Sequence, residues 1–298
     1  MTAKTILITG GDGFTGRHAS QHFKKVGYHV MTTSRKTEND HTIKINLMDQ
    51  EKVFKMLQRV KPDYILHLSG QNDVQKSWLD PLSTLHANVF VTVNLLEAVR
   101  QFHPEAKAVV VGSVLEEDGM SASPMHPYGL SKQLQAMVAK RWADYYALRI
   151  VIAKPVNLIG PGFSNGVCAK FAKRIVHMEE RNEPGQLTIS SREIERDFLD
   201  VRDAVSAYEL LLSAGENGKT YDVGTGKWRT LLEIADTYRQ LAKVPVKLAV
   251  RNNQAEEPKP CINPVPIRSL GWRPQYSLTE SLTDCINFYR KIGGDNVG

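Results

Sequence analysis

Tyr128 and Lys132 stand four residues apart in Pro127-Tyr128-Gly129-Leu130-Ser131-Lys132. On a helix, side chains at i and i+4 share one face, a turn apart. A phenol with a pKa near ~10 is a poor acid or base at neutral pH, and a neighbouring ammonium favours the phenolate and lowers that value. Such a pair suits proton exchange with a substrate hydroxyl or ketone while a nicotinamide exchanges hydride. Ser113 ends Val109-Val110-Val111-Gly112-Ser113, where the carboxyl end of a strand presents a hydroxyl at the ligand crevice of an open parallel sheet. Each feature alone has a plainer reading, an amphipathic helix for the first and a serine bonded to its own turn for the second.

A second constellation is Thr9-Gly10-Gly11-Asp12-Gly13-Phe14-Thr15-Gly16. It follows a strand-like run and opens a helix-like one, with Gly10, Gly13 and Gly16 in GxxGxxG spacing. Glycine allows the tight turn and a close backbone approach to phosphates, whose charge the free amides and the helix dipole favour. A dinucleotide pyrophosphate is the expected ligand; a merely structural glycine turn is the alternative. At the end of the second strand, where NAD-binding chains carry an acid for the ribose 2′-hydroxyl, this sequence has Thr32-Thr33-Ser34-Arg35-Lys36, and the next carboxylate in the chain is Glu38. A hydroxyl with a guanidinium suits a 2′-phosphate, so NADP(H) is expected; a solvated basic loop is the plain reading of Arg35 and Lys36. Phe14, Asn46, Leu47 and Leu68, which lie at or near strand ends or open the first helix, complete the expected cofactor set together with Lys132.

These residues need a scaffold. Short β-branched runs alternate with helical stretches through the first half of the chain, which implies a parallel sheet covered by helices. The expected strands are 5–9, 28–33, 42–45, 64–68, 107–111 and 149–153, six in a Rossmann-type doubly wound α/β sheet. Ala19, Phe23 and Val26 recur at helical spacing before Gly27, a natural helix stop. A domain over 1–155 and a smaller, mainly C-terminal α/β region over 156–298 are expected, with part of 196–226 packing back onto the first. Pro258, Pro260, Pro264 and Pro266 read as a stiffened loop.

Composition narrows the partners. The 298 residues are 42% apolar and 23% charged, which excludes disorder and collagen-like structure. Lys and Arg number 38 against 32 Asp and Glu, a formal net charge of +6. That balance admits nucleic acid, an anionic surface or phosphorylated small molecules. Without a basic block, an RNP-like motif or a zinc finger, nucleic acid is not expected. Cys168, Cys261 and Cys285 show no CxxC spacing, and no apolar run approaches the ~20 residues of a membrane helix. No metal site, disulfide framework, secretory leader or membrane partner is expected, and a cytoplasmic setting fits.

Taken together the chain resembles the extended short-chain dehydrogenase/reductase family, the epimerases, dehydratases and reductases of nucleotide sugars. Beyond the glycine turn and YxxxK, the resemblance rests on Asp63-Tyr64-Ile65-Leu66-His67-Leu68-Ser69-Gly70-Gln71, Asn88-Val89, Asn94-Leu95-Leu96-Glu97-Ala98, Asn157-Leu158-Ile159-Gly160-Pro161-Gly162, Arg196-Asp197-Phe198 and Tyr221-Asp222-Val223-Gly224. It implies that Ser113 joins Tyr128 and Lys132 in a catalytic triad. It also implies that Asn157 holds a sugar nucleotide and that Arg196 meets its pyrophosphate, unless Arg196 pairs with Asp197 or Glu195; Arg251 is a weaker second phosphate contact. Dehydratases of the family carry acids directly after the catalytic hydroxyl, because elimination needs them. Here Val114 and Leu115 stand there, with Glu116 and Glu117 one or two places later. The likeness therefore leans to NADPH-dependent reductases of nucleotide-linked 4-keto-6-deoxyhexoses, of the GDP-4-keto-6-deoxymannose reductase kind. An epimerase or dehydratase with bound NAD(P), and a non-catalytic NADP-binding regulatory protein, are the alternatives. The resemblance also implies a homodimer through helices near 81–101 and 128–147.

Overall fold

The computed structural model describes residues 3–116, 126–251 and 259–293. In chain order, β1 (Thr5–Thr9), α1 (Phe14–Lys25), β2 (His29–Ser34), β3 (Thr42–Lys44), α2 (Gln50–Val60) and β4 (Tyr64–His67) come first. Next are α3 (Val74–Leu79), α4 (Pro81–Leu85), a π-helical turn at His86–Phe90 and α5 (Val91–Phe102). They lead to β5 (Lys107–Val111), α6 (Pro127–Tyr146), β6 (Arg149–Pro155), β7 (Asn157–Ile159) and α7 (Val167–Arg181). The remainder is β8 (Gly185–Ile189), β9 (Glu195–Asp200), α8 (Val201–Ala214), β10 (Thr220–Val223), β11 (Trp228–Thr230), α9 (Leu231–Leu241), β12 (Val246–Val250), α10 (Val265–Ser269) and α11 (Leu278–Ile292).

The chain forms two compact units. The first takes Met1–Pro155, Val205–Val223 and Ile262–Trp272; the second takes Val156–Ala204, Gly224–Cys261 and Arg273–Gly298. In the first unit seven strands run parallel in the order β10-β6-β5-β4-β1-β2-β3. This is the expected doubly wound sheet. Strand order reverses between β1 and β4, so their carboxyl ends open the crevice where ligands of such sheets bind.

Strand cores such as Ile6-Leu7-Ile8 and Ile150-Val151-Ile152-Ala153 are fully buried, as parallel strands covered on both faces must be. One face packs against Val53, Leu57, Leu95, Leu96 and Val99 from α2 and α5. Truncating one such leucine to alanine costs roughly 2–5 kcal/mol. The run Pro81–Phe102 is the one helical stretch among the described residues long and apolar enough to cross a membrane. Val91, Leu95, Leu96, Ala98 and Val99 on it lie inside this core. Gly27, at φ +90°, ends the α1 turn as expected.

The differences from expectation are local. β2 extends to Ser34 and β6 to Pro155, while β3 and β4 each stop one residue early. The seventh strand, β10, is four residues long, too short for a period-2 signal, and is held by its parallel register with β6. Of the expected proline loop, Pro266 instead occupies the first turn of α10, where its missing amide is harmless; Pro258 lies outside the described residues.

In the second unit β11-β9-β7 form one sheet and β12-β8 another. Helices α7, α9 and α11 pack a separate core around Ile175, Ile234, Tyr238, Leu282 and Ile286. Capping boxes at Thr230/Glu233 and Ser277/Glu280 start α9 and α11.

Candidate active site

The glycine turn leaves β1 at Gly10, whose φ of +72° suits glycine and whose added Cβ would sit 3.1 Å from the Ser69 amide nitrogen. At Gly16 a Cβ would fall 2.2 Å from the Gly10 carbonyl oxygen, so only glycine lets α1 start this close to the strand. Gly13 caps α1 in extended conformation without a side-chain acceptor, and the first turn of α1 holds no acid. Its amides and dipole thus face a crevice suited to an anion. The cradle fits a pyrophosphate because side chains would fill it. Phe14 opens α1, edge-on to His18 at 5.5 Å. Leu68 donates its amide to Thr9 Oγ1 at 3.1 Å. The Asn46–Leu47 corner is pinned by Asn94, whose Nδ2 donates to the Leu47 carbonyl at 3.0 Å.

The end of β2 differs from the expectation of a carboxylate-free edge. Ser34 Oγ donates to the carboxylate of Asp12, which reaches across from the glycine turn. The same oxygen accepts the amides of Lys36 and Thr37, both at 2.9 Å. Arg35 and Lys36 are exposed beside it.

Ser113, Tyr128 and Lys132 are brought together and buried, at 6%, 6% and 7% exposure. Pro127 at the first turn and His126, whose Nδ1 accepts the Gly129 amide at 2.8 Å, start α6 at this point. A Cβ on Gly129 would meet the Leu115 carbonyl at 2.6 Å, so α6 begins directly against the turn that follows Ser113. Ser113 Oγ accepts the Leu115 amide at 3.1 Å and stands near enough to the Tyr128 phenol to favour its charged form. The plain reading of this serine, bonded to its own turn, thus coexists with a position beside the Tyr128 phenol.

The expected lowering of the tyrosine is corrected here. Burial pushes Tyr128 up to about 12, the Ser113 hydroxyl opposes the rise, and the nearby Glu116 charge adds to it. Desolvation outweighs any help from the ammonium, because Lys132 points its Nζ to the Val111 carbonyl at 2.8 Å and to Gln135 Oε1 at 2.7 Å. Burial also brings Lys132 down to about 8, against the attraction of Glu116. Glu116 itself is buried and pairs with Lys154 at 3.2 Å. Glu117, Asp118 and Gly119 lie outside the described residues.

Sequence reasoning missed the chain of hydrogen bonds behind Lys132. Gln135 Nε2 donates to Thr92 Oγ1 at 2.9 Å, and Thr92 donates to the Asn88 carbonyl at 2.7 Å. His67 bridges Thr92 Oγ1 at 2.9 Å and Thr9 Oγ1 at 2.7 Å. Thr9 Oγ1 already accepts the Leu68 and Ser69 amides, so its one hydrogen goes to His67 Nδ1. This assigns the Nε2–H tautomer, which donates to Thr92. Full burial holds His67 neutral, with its pKa lowered to about 3. The network ties the Lys132 amine to the residue that precedes the glycine turn. Asn88 braces the same helix, donating to Ser131 Oγ at 2.7 Å. His67 and Asn88 stood in recognisable motifs, whereas Gln135 and Thr92 carried no signal beyond being polar.

The substrate candidates belong to the second unit. Asn157 on β7 donates its side chain to the Asp197 carbonyl at 3.1 Å. Arg196 lies on the adjoining strand, β9, opposite Arg229 of β11. Glu195 pairs with Lys259, Asp197 accepts Thr225 Oγ1 at 2.5 Å and the Gly226 amide at 2.7 Å, and Arg196 and Asp197 each make further contacts within the chain. Arg251 is exposed after β12, at the end of the other sheet, its amide on the Ile189 carbonyl at 2.9 Å.

A sequence model of the NAD dependent epimerase/dehydratase family matches residues 6–224, which contain the glycine turn, Ser113 and YxxxK. The chain belongs to this family. Among its members, the GDP-6-deoxy-D-mannose reductase of Pseudomonas aeruginosa is 28% identical over 93% of this chain and 94% of its own length. The UDP-glucose 4-epimerase of Rhizobium meliloti is 26% identical over 99% of this chain and all of its own. A solved structure, RMD from Pseudomonas aeruginosa complexed with NADPH, superposes with a TM-score of 0.85 at 25% identity, covering 97% of this chain and 99% of that one. Family members with different reactions thus stand at similar distance.

Proposed function

We propose that this chain is an NADPH-dependent reductase of the C4 ketone of a nucleotide-linked 4-keto-6-deoxyhexose, a step of deoxysugar biosynthesis. The observation that carries the reading is the Tyr128 phenol buried at the start of α6 together with Ser113 and Lys132, and kept protonated by that burial. Reduction of a ketone needs a proton donor at the oxygen that gains charge. When bound, the dinucleotide supplies hydride. Gly10, Gly13, Phe14, Gly16, Arg35, Asn46, Leu47 and Leu68 are the residues that would hold it, while Ser34 keeps its hydroxyl on Asp12. Lys132 has placed two of its three ammonium hydrogens on Val111 and Gln135, which leaves one for the nicotinamide ribose. Ser113 binds the reacting oxygen and Tyr128 protonates it. Asn157, Arg196 and Arg251 hold the nucleotide portion, the planar guanidinium bonding two phosphate oxygens at once. Remote binding is thereby converted into orientation of the ketone.

The reductase relative and the NADPH-bound neighbour support this choice. Elimination has little support, since Val114 and Leu115 follow Ser113 and the buried Glu116 is engaged with Lys154. A second reading, a nucleotide-sugar 4-epimerase holding NAD, is favoured by the Asp12 carboxylate at Ser34 and by the epimerase relative. Exposed Trp78, Leu79, Leu82 and Phe90, with Leu130, Met137, Tyr145 and Tyr146 on α6, support a homodimer. The free thiols support a reducing, cytoplasmic setting.

The test is to follow NADPH oxidation against 4-keto-6-deoxyhexoses linked to GDP, dTDP, UDP and CDP. Turnover with at least one is expected. Silence across the panel, with C4 inversion of a saturated sugar nucleotide and no NADPH consumed, would replace the reductase by the epimerase.

A further inference from the structure

The Ser34 hydroxyl is saturated within the chain. It has one hydrogen and two lone pairs. The hydrogen goes to the Asp12 carboxylate, and the lone pairs take the Lys36 and Thr37 amides. A 2′-phosphate at this strand end therefore meets a carboxylate already holding the Ser34 hydroxyl, with the exposed Arg35 and Lys36 as countercharge. Arg17 folds back on the same turn, its Nε donating to the Asp12 carbonyl at 3.0 Å. The acid usually found at the end of the second strand for a ribose hydroxyl is here delivered from the glycine turn, 22 residues earlier.

We propose that Asp12 sets the NADP(H)-to-NAD(H) selectivity of this chain, by occupying Ser34 and opposing the 2′-phosphate, so that the wild-type protein accepts both dinucleotides. The inference rests on the dinucleotide-binding part of the proposed function and deepens it. Asp12 is a specificity-determining residue and takes no part in proton transfer. Its carboxylate is exposed, so replacing it leaves the core untouched.

The experiment titrates NADP+ and NAD+ separately onto the wild-type protein and onto Asp12→Asn and Asp12→Ala, reading dissociation constants by calorimetry without sugar substrate. Asp12→Asn removes the charge but keeps an acceptor for Ser34; Asp12→Ala also releases the hydroxyl. The ratio of NAD+ to NADP+ dissociation constants is expected to rise about tenfold in Asp12→Asn and further in Asp12→Ala, the scale of one charge pair near a protein surface. The gain should shrink at high ionic strength. Parallel changes in both dinucleotides, or an unchanged ratio with both still binding, would overturn the assignment of Asp12 alone. A wild-type protein that binds neither dinucleotide would overturn it together with the function proposed above.

Discussion

The end of β2 and the first turn of α6 both offer hydroxyls and charges at the carboxyl edge of one sheet, yet they keep them in opposite surroundings. At β2, Asp12, Arg35 and Lys36 lie in water. At α6, Tyr128, Lys132, Glu116 and Lys154 are all buried. Exposed charges are screened, and each shifts a ligand preference by a modest factor. Buried ones change each other's protonation and are costly to leave without a partner. Selectivity between similar cofactors belongs with the first arrangement, and proton transfer with the second.

The sharpest way to break this contrast is Tyr128→Phe. Removing the buried acid should lower ketone reduction by about 10²–10⁴-fold while NADP+ titration by calorimetry stays close to wild type. Full turnover in the variant would remove Tyr128 from the reaction. Next comes the buried ion pair. Glu116→Gln removes the charge that faces the buried Lys154 ammonium and should cost about 3–5 kcal/mol in denaturant unfolding, whereas Glu116→Leu with Lys154→Met should come back near wild type. A loss as small as that of a surface pair would mean that the site is wetter than its geometry implies.

Lys132 makes the contrast visible in pH. Its folded pKa of about 8 lies below the ordinary 10.5, so the unfolded chain binds more protons between those values. The cost of burying the ammonium is fully present below about pH 8 and is relieved as pH rises toward 10.5. Lys132→Met should flatten that rise in melts recorded across the window. Reduction by the wild-type protein should fall as pH passes about 8, because the neutral amine has one hydrogen fewer to give. The smallest expected effect is at the open edge. Arg35→Ser should weaken NADP+ binding about tenfold in calorimetry and leave NAD+ nearly unchanged, and the difference should fade with salt.

Much of this was legible from residues alone. The six strands and the GxxGxxG turn are local features, read from runs of β-branched residues and from positions where a side chain cannot fit. Ser113, Tyr128 and Lys132 followed from strand-end and i,i+4 geometry. The buried face of α6 did not announce itself, because Tyr128, Ser131, Lys132, Gln135, Ala139 and Ala143 form a polar and small stripe that no hydrophobic period marks. The helix is buried by what it serves, with Gln135 and Thr92 satisfying the amine that burial strips of water.

Sequence by itself determined the sheet, the glycine turn at its first strand and the grouping of Ser113, Tyr128 and Lys132, because each depends on neighbours within one strand or one helical turn. Tertiary structure alone decided that the tyrosine is held as an acid rather than eased toward phenolate. It alone also brought a carboxylate to the cofactor edge from 22 residues away. Both outcomes depend on desolvation and on approaches between distant segments, and those exist only once the chain has closed around them.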